Sequence, residues 1–85
     1  AFICVSVLGL PPDMHEIVEL CKKHFVYLLE DNCESLLSKY DNKYLGKFGV
    51  ASCWSTYYGH HISTIEGGVV TTDDSELHHL ILQLR

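Results

Sequence analysis

An apolar run, a proline break, a capped amphipathic stretch and a second apolar run open this chain, and that order constrains its fold more than any other feature. Phe2 to Leu8, with β-branched Ile3, Val5 and Val7, reads as a buried strand. Gly9-Leu10-Pro11-Pro12 ends it. Asp13 then has the chemistry of a helix N-cap, with Glu16 as its capping-box partner. Met14, Ile17, Val18 and Cys21 follow at the spacing of one helical face. His24 falls near the helix end, where positive charge suits the dipole. Phe25 to Leu29 reads as a second buried strand, ending at Glu30-Asp31. Strand, helix and strand in this order predict parallel strands joined by a crossover, hence an α/β layer.

The remainder fits such a layer. Residues 39–49, "KYDNKYLGKFG", hold Asp41-Asn42 and two glycines and predict a short hairpin or loop. Ala51 to Tyr57 and Gly68 to Thr71 are strand-like, and Asp73-Asp74 opens a helix with Leu77, Leu80, Ile81 and Leu84 along one stripe. In open α/β sheets ligands sit outside the carboxyl ends of the strands. That rule makes Asp31 and the stretch Ser55 to His61 two candidate walls of one site.

Composition excludes several classes. With 85 residues there is room for one small domain at most. A formal charge of −5 and only six basic residues argue against nucleic-acid binding. No apolar run reaches the ~18 residues of a membrane helix, so no membrane partner and a cytoplasmic location are expected. Cys4, Cys21, Cys33 and Cys53 show no CxxC spacing and read as reduced thiols. The chain opens directly in a strand and closes inside a helical pattern, so it is expected to be a segment of something larger.

The adjacent His60 and His61 point in different directions on a strand or a helix, so no metal is expected there. Cys53 and Ser55 precede the histidines, but no GxSxG elbow frames a nucleophile. Asp31 requires a cationic partner to be more than a turn residue. The "EGGVVTTDD" stretch reads as a strand-entry turn, in which glycine permits positive φ or close backbone approach.

Taken together, "LGLPPDMHEIVELCKKH", "LLEDNCES", "LGKFGVASCWSTYY" and "HHISTIEGGVVTTDDSELHHLILQLR" resemble, in order and spacing, the DegT/DnrJ-type sugar aminotransferases. The resemblance covers essentially the whole chain. It implies the fold-type-I, aspartate aminotransferase-like architecture: a mainly parallel sheet with flanking helices. Residues 1–85 would be the central cofactor-binding segment of the large domain, with its N-terminal part and the small domain lying outside. The implied cofactor is pyridoxal 5'-phosphate or pyridoxamine 5'-phosphate.

By the same resemblance, Asp31 is the aspartate that pairs with the pyridine nitrogen and keeps it protonated. Glu34 matches the position that packs on the cofactor ring, and Ser55 the serine that binds the phosphate. His60 stands where aminotransferases of the family carry the lysine that holds the cofactor covalently. An imidazole has no primary amine, so this departure resembles the branch acting as nucleotide-sugar 3-dehydratases. The implied reaction is C3 dehydration of a nucleotide-linked 4-keto-6-deoxyhexose, with His60 as the base. A sugar aminotransferase and an inactive truncated segment are the alternatives. Relatives build their sites across a homodimer, so the 85-residue piece alone is expected to be inactive. His61 has no assigned role, and Glu66 is expected to shape its loop. Cys33 falls where a cluster cysteine of one iron–sulfur branch would lie, but one cysteine makes no cluster.

Overall fold

The computed structural model describes residues 1–85. Its strands are β1 (Phe2–Val5), β2 (Leu28–Asp31), β3 (Lys39–Tyr40), β4 (Lys43–Tyr44), β5 (Ala51–Ser55) and β6 (Gly68–Thr71); its helices are α1 (Met14–Lys23) and α2 (Ser75–Leu84). One sheet has the order β1-β2-β5-β6, parallel across the first three strands and antiparallel at β6. The mainly parallel α/β layer is therefore as expected. No helix is long and apolar enough to cross a membrane.

The crossover forms as its sequence directs. Asp13 caps α1, its carboxylate accepting the Glu16 N–H at 3.0 Å. Met14 is fully buried and Cys21 nearly so, while Ile17 and Val18 pack beside them against Cys4, Leu28 and Leu45. Three boundaries differ from expectation, β5 being the simplest: it ends at Ser55 and not at Tyr57, where the chain already turns. β1 stops at Val5, because Leu8 (φ 54°) and Gly9 (φ 78°) turn the chain and bring Leu10 back to Val7. Phe25 is no strand residue: it takes φ 53° and lies 96% exposed, making the turn out of α1. The strand begins at Leu28, where the backbone pairs with Phe2.

Register assigns the faces. Paired residues share a face and successive residues alternate. Cys4, Glu30 and Ser52 pair in one row, on the same side as Leu28 and therefore toward α1. Val5, Asp31 and Cys53 pair in another row, on the opposite face, with Val70 continuing it. The two acids of "ED" are thus divided by the strand. Glu30 goes into the core and Asp31 to the face that α1 leaves open.

Glu30 is 2% exposed and bound on both oxygens. It accepts the N–H groups of Gly46 (2.6 Å), Phe48 (2.8 Å) and Gly49 (2.6 Å), which fixes the segment between the β3–β4 hairpin and β5. Two glycines let the backbone come this close. A Cβ on Gly49 would stand 2.5 Å from the Leu28 carbonyl oxygen, and one on Gly46 (φ 87°) 2.7 Å from the Trp54 ring. The hairpin turns at Asp41 and Asn42, both in the left-handed region at φ 47° and 62°. Asp74 caps α2 by accepting the Glu76 and Leu77 N–H groups. The apolar stripe on α2 is not buried: Leu80 is 50% and Leu84 78% exposed.

Candidate functional site

At the carboxyl ends of β1, β2 and β5 three turns meet, and the sequence-predicted residues sit on two of them. Asp31 is the last residue of β2. Its Oδ1 accepts the Cys33 N–H at 3.2 Å. The Cys33 thiol, that N–H and the Cys53 thiol hold the carboxyl below the usual carboxylate range against the opposing effect of partial burial. The His60 ring acts in the same direction. Asp31 is therefore an ionised carboxylate at neutral pH, set on the sheet face opposite α1.

The sign of the resulting pH dependence follows directly. A carboxyl whose folded pKa is depressed stabilises the fold above its unfolded value of about 3.9. That contribution disappears as pH falls through the folded value. Asp31→Asn is expected to flatten this part of the acid dependence. The check is the urea midpoint of the full-length protein between about pH 5 and pH 2, wild type against variant.

Cys53 is the neighbour that sequence reading did not place beside Asp31. The parallel β2–β5 register makes them direct partners. Cys33 closes the group, and the Asp31 carboxylate and both sulfurs lie within 4.8 Å of one another. Burial and then the Asp31 carboxylate push the Cys33 thiol up to about 12, and burial raises Cys53 as well. All four cysteines are free. Protonated thiols that face a carboxylate are poor nucleophiles, consistent with the absence of an elbow around Cys53.

Ser55 ends β5, and its Oγ accepts the Tyr57 N–H at 3.1 Å, which leaves the hydroxyl proton free to donate. The following loop is closed at its base. Thr56 donates its N–H to Gly67 O, Thr64 donates its N–H to Thr56 O, and the two threonine hydroxyls lie 2.8 Å apart. Gly67 (φ 146°) permits this, since a Cβ there would meet Thr56 Oγ1 at 2.8 Å. The Glu66 carbonyl accepts from Thr64 Oγ1, which adds a backbone contact to the closed base of the loop. His60 and His61 stand at the far end of the loop. His60 is half-buried, with its N–H on Tyr57 O, and His61 is exposed.

Glu34 is exposed, and its Oε2 accepts the Leu8 N–H at 3.1 Å, tying the turn after β1 to the turn after β2. Leu8, Gly9, Glu34, Gly59, His60 and His61 line a cleft of about 550 Å³. Ser55 lies in an adjoining hollow of about 250 Å³ that also takes in Cys33 and His61. The structure thus brings Glu34 together with His60, and Ser55 with Cys33, with His61 common to both hollows. A larger hollow of about 910 Å³ between the 44–51 loop and the start of α2 holds none of the four predicted residues.

Comparison with known proteins shows what the chain as a whole is similar to. The chain is 42% identical over all 85 residues to a GDP-4-keto-6-deoxy-D-mannose 3-dehydratase of Escherichia coli O55:H7, and covers 22% of it. It is 41% identical over 85 residues to a GDP-perosamine synthase of Escherichia coli O157:H7, covering 23% of that protein. A solved structure of E. coli GDP-4-keto-6-deoxy-D-mannose-3-dehydratase with bound hydrated PLP matches with a TM-score of 0.86 at 42% identity, over 94% of this chain and 21% of that one. The chain spans about a fifth of the length of these relatives. The fold is that of the aspartate aminotransferase-like PLP enzymes. The model of the DegT/DnrJ/EryC1/StrS aminotransferase family matches residues 1–85 from end to end, and the chain belongs to that family.

Proposed function

We propose that the protein to which this chain belongs removes the C3 hydroxyl of a nucleotide-linked 4-keto-6-deoxyhexose, using pyridoxamine 5'-phosphate, in deoxysugar biosynthesis. One observation carries the reading. The loop between β5 and β6 presents His60 to the cleft and contains no lysine, since the five lysines are residues 22, 23, 39, 43 and 47. Overall identity does not separate dehydratase from aminotransferase, at 42% against 41%. The histidine in the loop is what favours the dehydratase.

The donor set fits a phosphorylated pyridine. When bound, the cofactor would supply an amine for the keto group and a ring that withdraws electrons. Asp31, held ionised, keeps the proton on the pyridine nitrogen. The Ser55 hydroxyl donates to a phosphate oxygen. Glu34 lines the cleft with one carboxylate oxygen spent on Leu8 N–H, and would pack on the ring. His60 takes up a proton through a ring nitrogen and delivers one to the C3 oxygen that leaves as water. The chain would act within a homodimer of full-length subunits in the cytoplasm, and the 85 residues alone would be inactive.

Borohydride treatment of the full-length protein with pyridoxal phosphate tests this reading. Wild type is expected to show no covalent attachment within residues 56–67 by peptide mass mapping, whereas His60→Lys is expected to acquire it at position 60. Attachment in wild type at this loop would overturn the assignment of His60.

A further inference from the structure

The Asp31–Cys33–Cys53 group has a second property that cofactor binding does not use. Three different segments supply it: the end of β2, the turn after β2, and the middle of β5. Asp31 and Cys53 are register partners, so their side chains leave the sheet on the same face. Cys33 is held to Asp31 through its own N–H at 3.2 Å. The carboxylate oxygen and two sulfurs lie within 4.8 Å of one another, and all three residues are half-buried. Tetrahedral zinc-type coordination, with metal–sulfur bonds of about 2.3 Å and metal–oxygen bonds of about 2.0–2.2 Å, places neighbouring donors roughly 3.4–3.8 Å apart. The donors therefore need only small side-chain rotations to close on one ion.

We propose that Asp31, Cys33 and Cys53 form a site for one soft divalent cation of the zinc class, competing with the cofactor for Asp31. Two sulfurs and one oxygen select a thiophilic ion over magnesium or calcium, which take oxygen donors. Three protein donors leave a fourth coordination position for water or another donor. The cation replaces the two thiol protons, which pass to the buffer, and no electron is transferred. The competition rests on the reading that Asp31 meets the pyridine nitrogen, because one carboxylate cannot serve a metal and a protonated ring at once. The sequence hides this site. Its spacing, Asp-x-Cys followed twenty residues later by Cys, matches no ligand motif and converges only through the β2–β5 pairing.

The test uses the full-length protein, stripped of cofactor, kept reduced with a phosphine and titrated with Cd2+. The expected result is a thiolate-to-cadmium charge-transfer band that saturates at one equivalent per chain. Cys33→Ser and Cys53→Ser are each expected to lose affinity by more than the roughly 10–100-fold that removal of an outer partner of a metal ligand costs. Prior loading with pyridoxal phosphate is expected to suppress the band. No band, or a band that survives in both variants, overturns the site. A band at one equivalent that loaded cofactor leaves unchanged overturns the competition. Neither result bears on His60, whose assignment is decided separately by borohydride.

Discussion

Glu30→Ala is expected to destabilise the full-length protein by about 3–5 kcal/mol, read from its denaturant midpoint, although the residue touches no part of the proposed site. A carboxylate in the middle of a sheet, 2% exposed and between Cys4 and Ser52, is costly unless its oxygens are satisfied. Here they are satisfied by the N–H groups of Gly46, Phe48 and Gly49, with the Asn32 side-chain amide at 3.4 Å. Converging N–H groups of this kind form an anion-binding concavity, and the anion is part of the chain. Alanine leaves three donors without a partner, at about 1–3 kcal/mol for each that water does not reach. Glutamine is expected to recover little, because its amide nitrogen must face at least one of those N–H groups. Glu19→Gln, on the exposed side of α1, should stay within about 0.5 kcal/mol of wild type. A shift under about 1 kcal/mol for Glu30→Ala would mean that the 46–49 segment is held by something else.

Glu30 also marks the limit of what sequence could show. Alternation along β2 requires the two acids of "ED" to face opposite ways, but it does not say which one faces the core. The resemblance picked Asp31 for the site; that Glu30 is the anchor of a neighbouring loop appears only when Gly46 and Gly49 are seen over β2. Local signals read well. The Asp13 and Asp74 caps, the Met14–Cys21 face and the Asp41-Asn42 turn each depend on a few adjacent residues and formed as expected. Features set by long-range register did not read. Cys33 and Cys53 are twenty residues apart and meet because β5 lies parallel to β2 at one register. Phe25 looked like the first residue of a strand by hydrophobicity, yet its left-handed backbone makes the turn and leaves the ring in solvent. The α2 stripe was periodic as read, but periodicity specifies a face to be covered and not what covers it.

His60→Asn carries the largest expected effect on activity. Asparagine keeps a polar group of similar reach in the cleft but cannot take up a proton, so turnover of the full-length enzyme on a nucleotide-linked 4-keto-6-deoxyhexose should fall about 10²–10⁴-fold. The loss should appear in kcat, with KM little changed, because the proposed binding groups Asp31, Ser55 and Glu34 remain. Cofactor absorbance should likewise remain. The loop makes the assignment testable against its neighbour. His60 is the half-buried residue of the pair, with its backbone fixed to Tyr57 O and its ring 6.4 Å from the Tyr57 ring. His61 is exposed and borders both hollows. An equal fall in kcat with His61→Asn and none with His60→Asn would transfer the base to the second histidine. A fall in both, with KM rising only for His61→Asn, would make His61 a substrate contact and leave the proton with His60. The distinction matters for mechanism because the proposed reading puts only His60 at the position of the family's lysine. If the proton is carried at that position, the change from lysine to histidine exchanged a covalent tether for a free base at the same point of the loop.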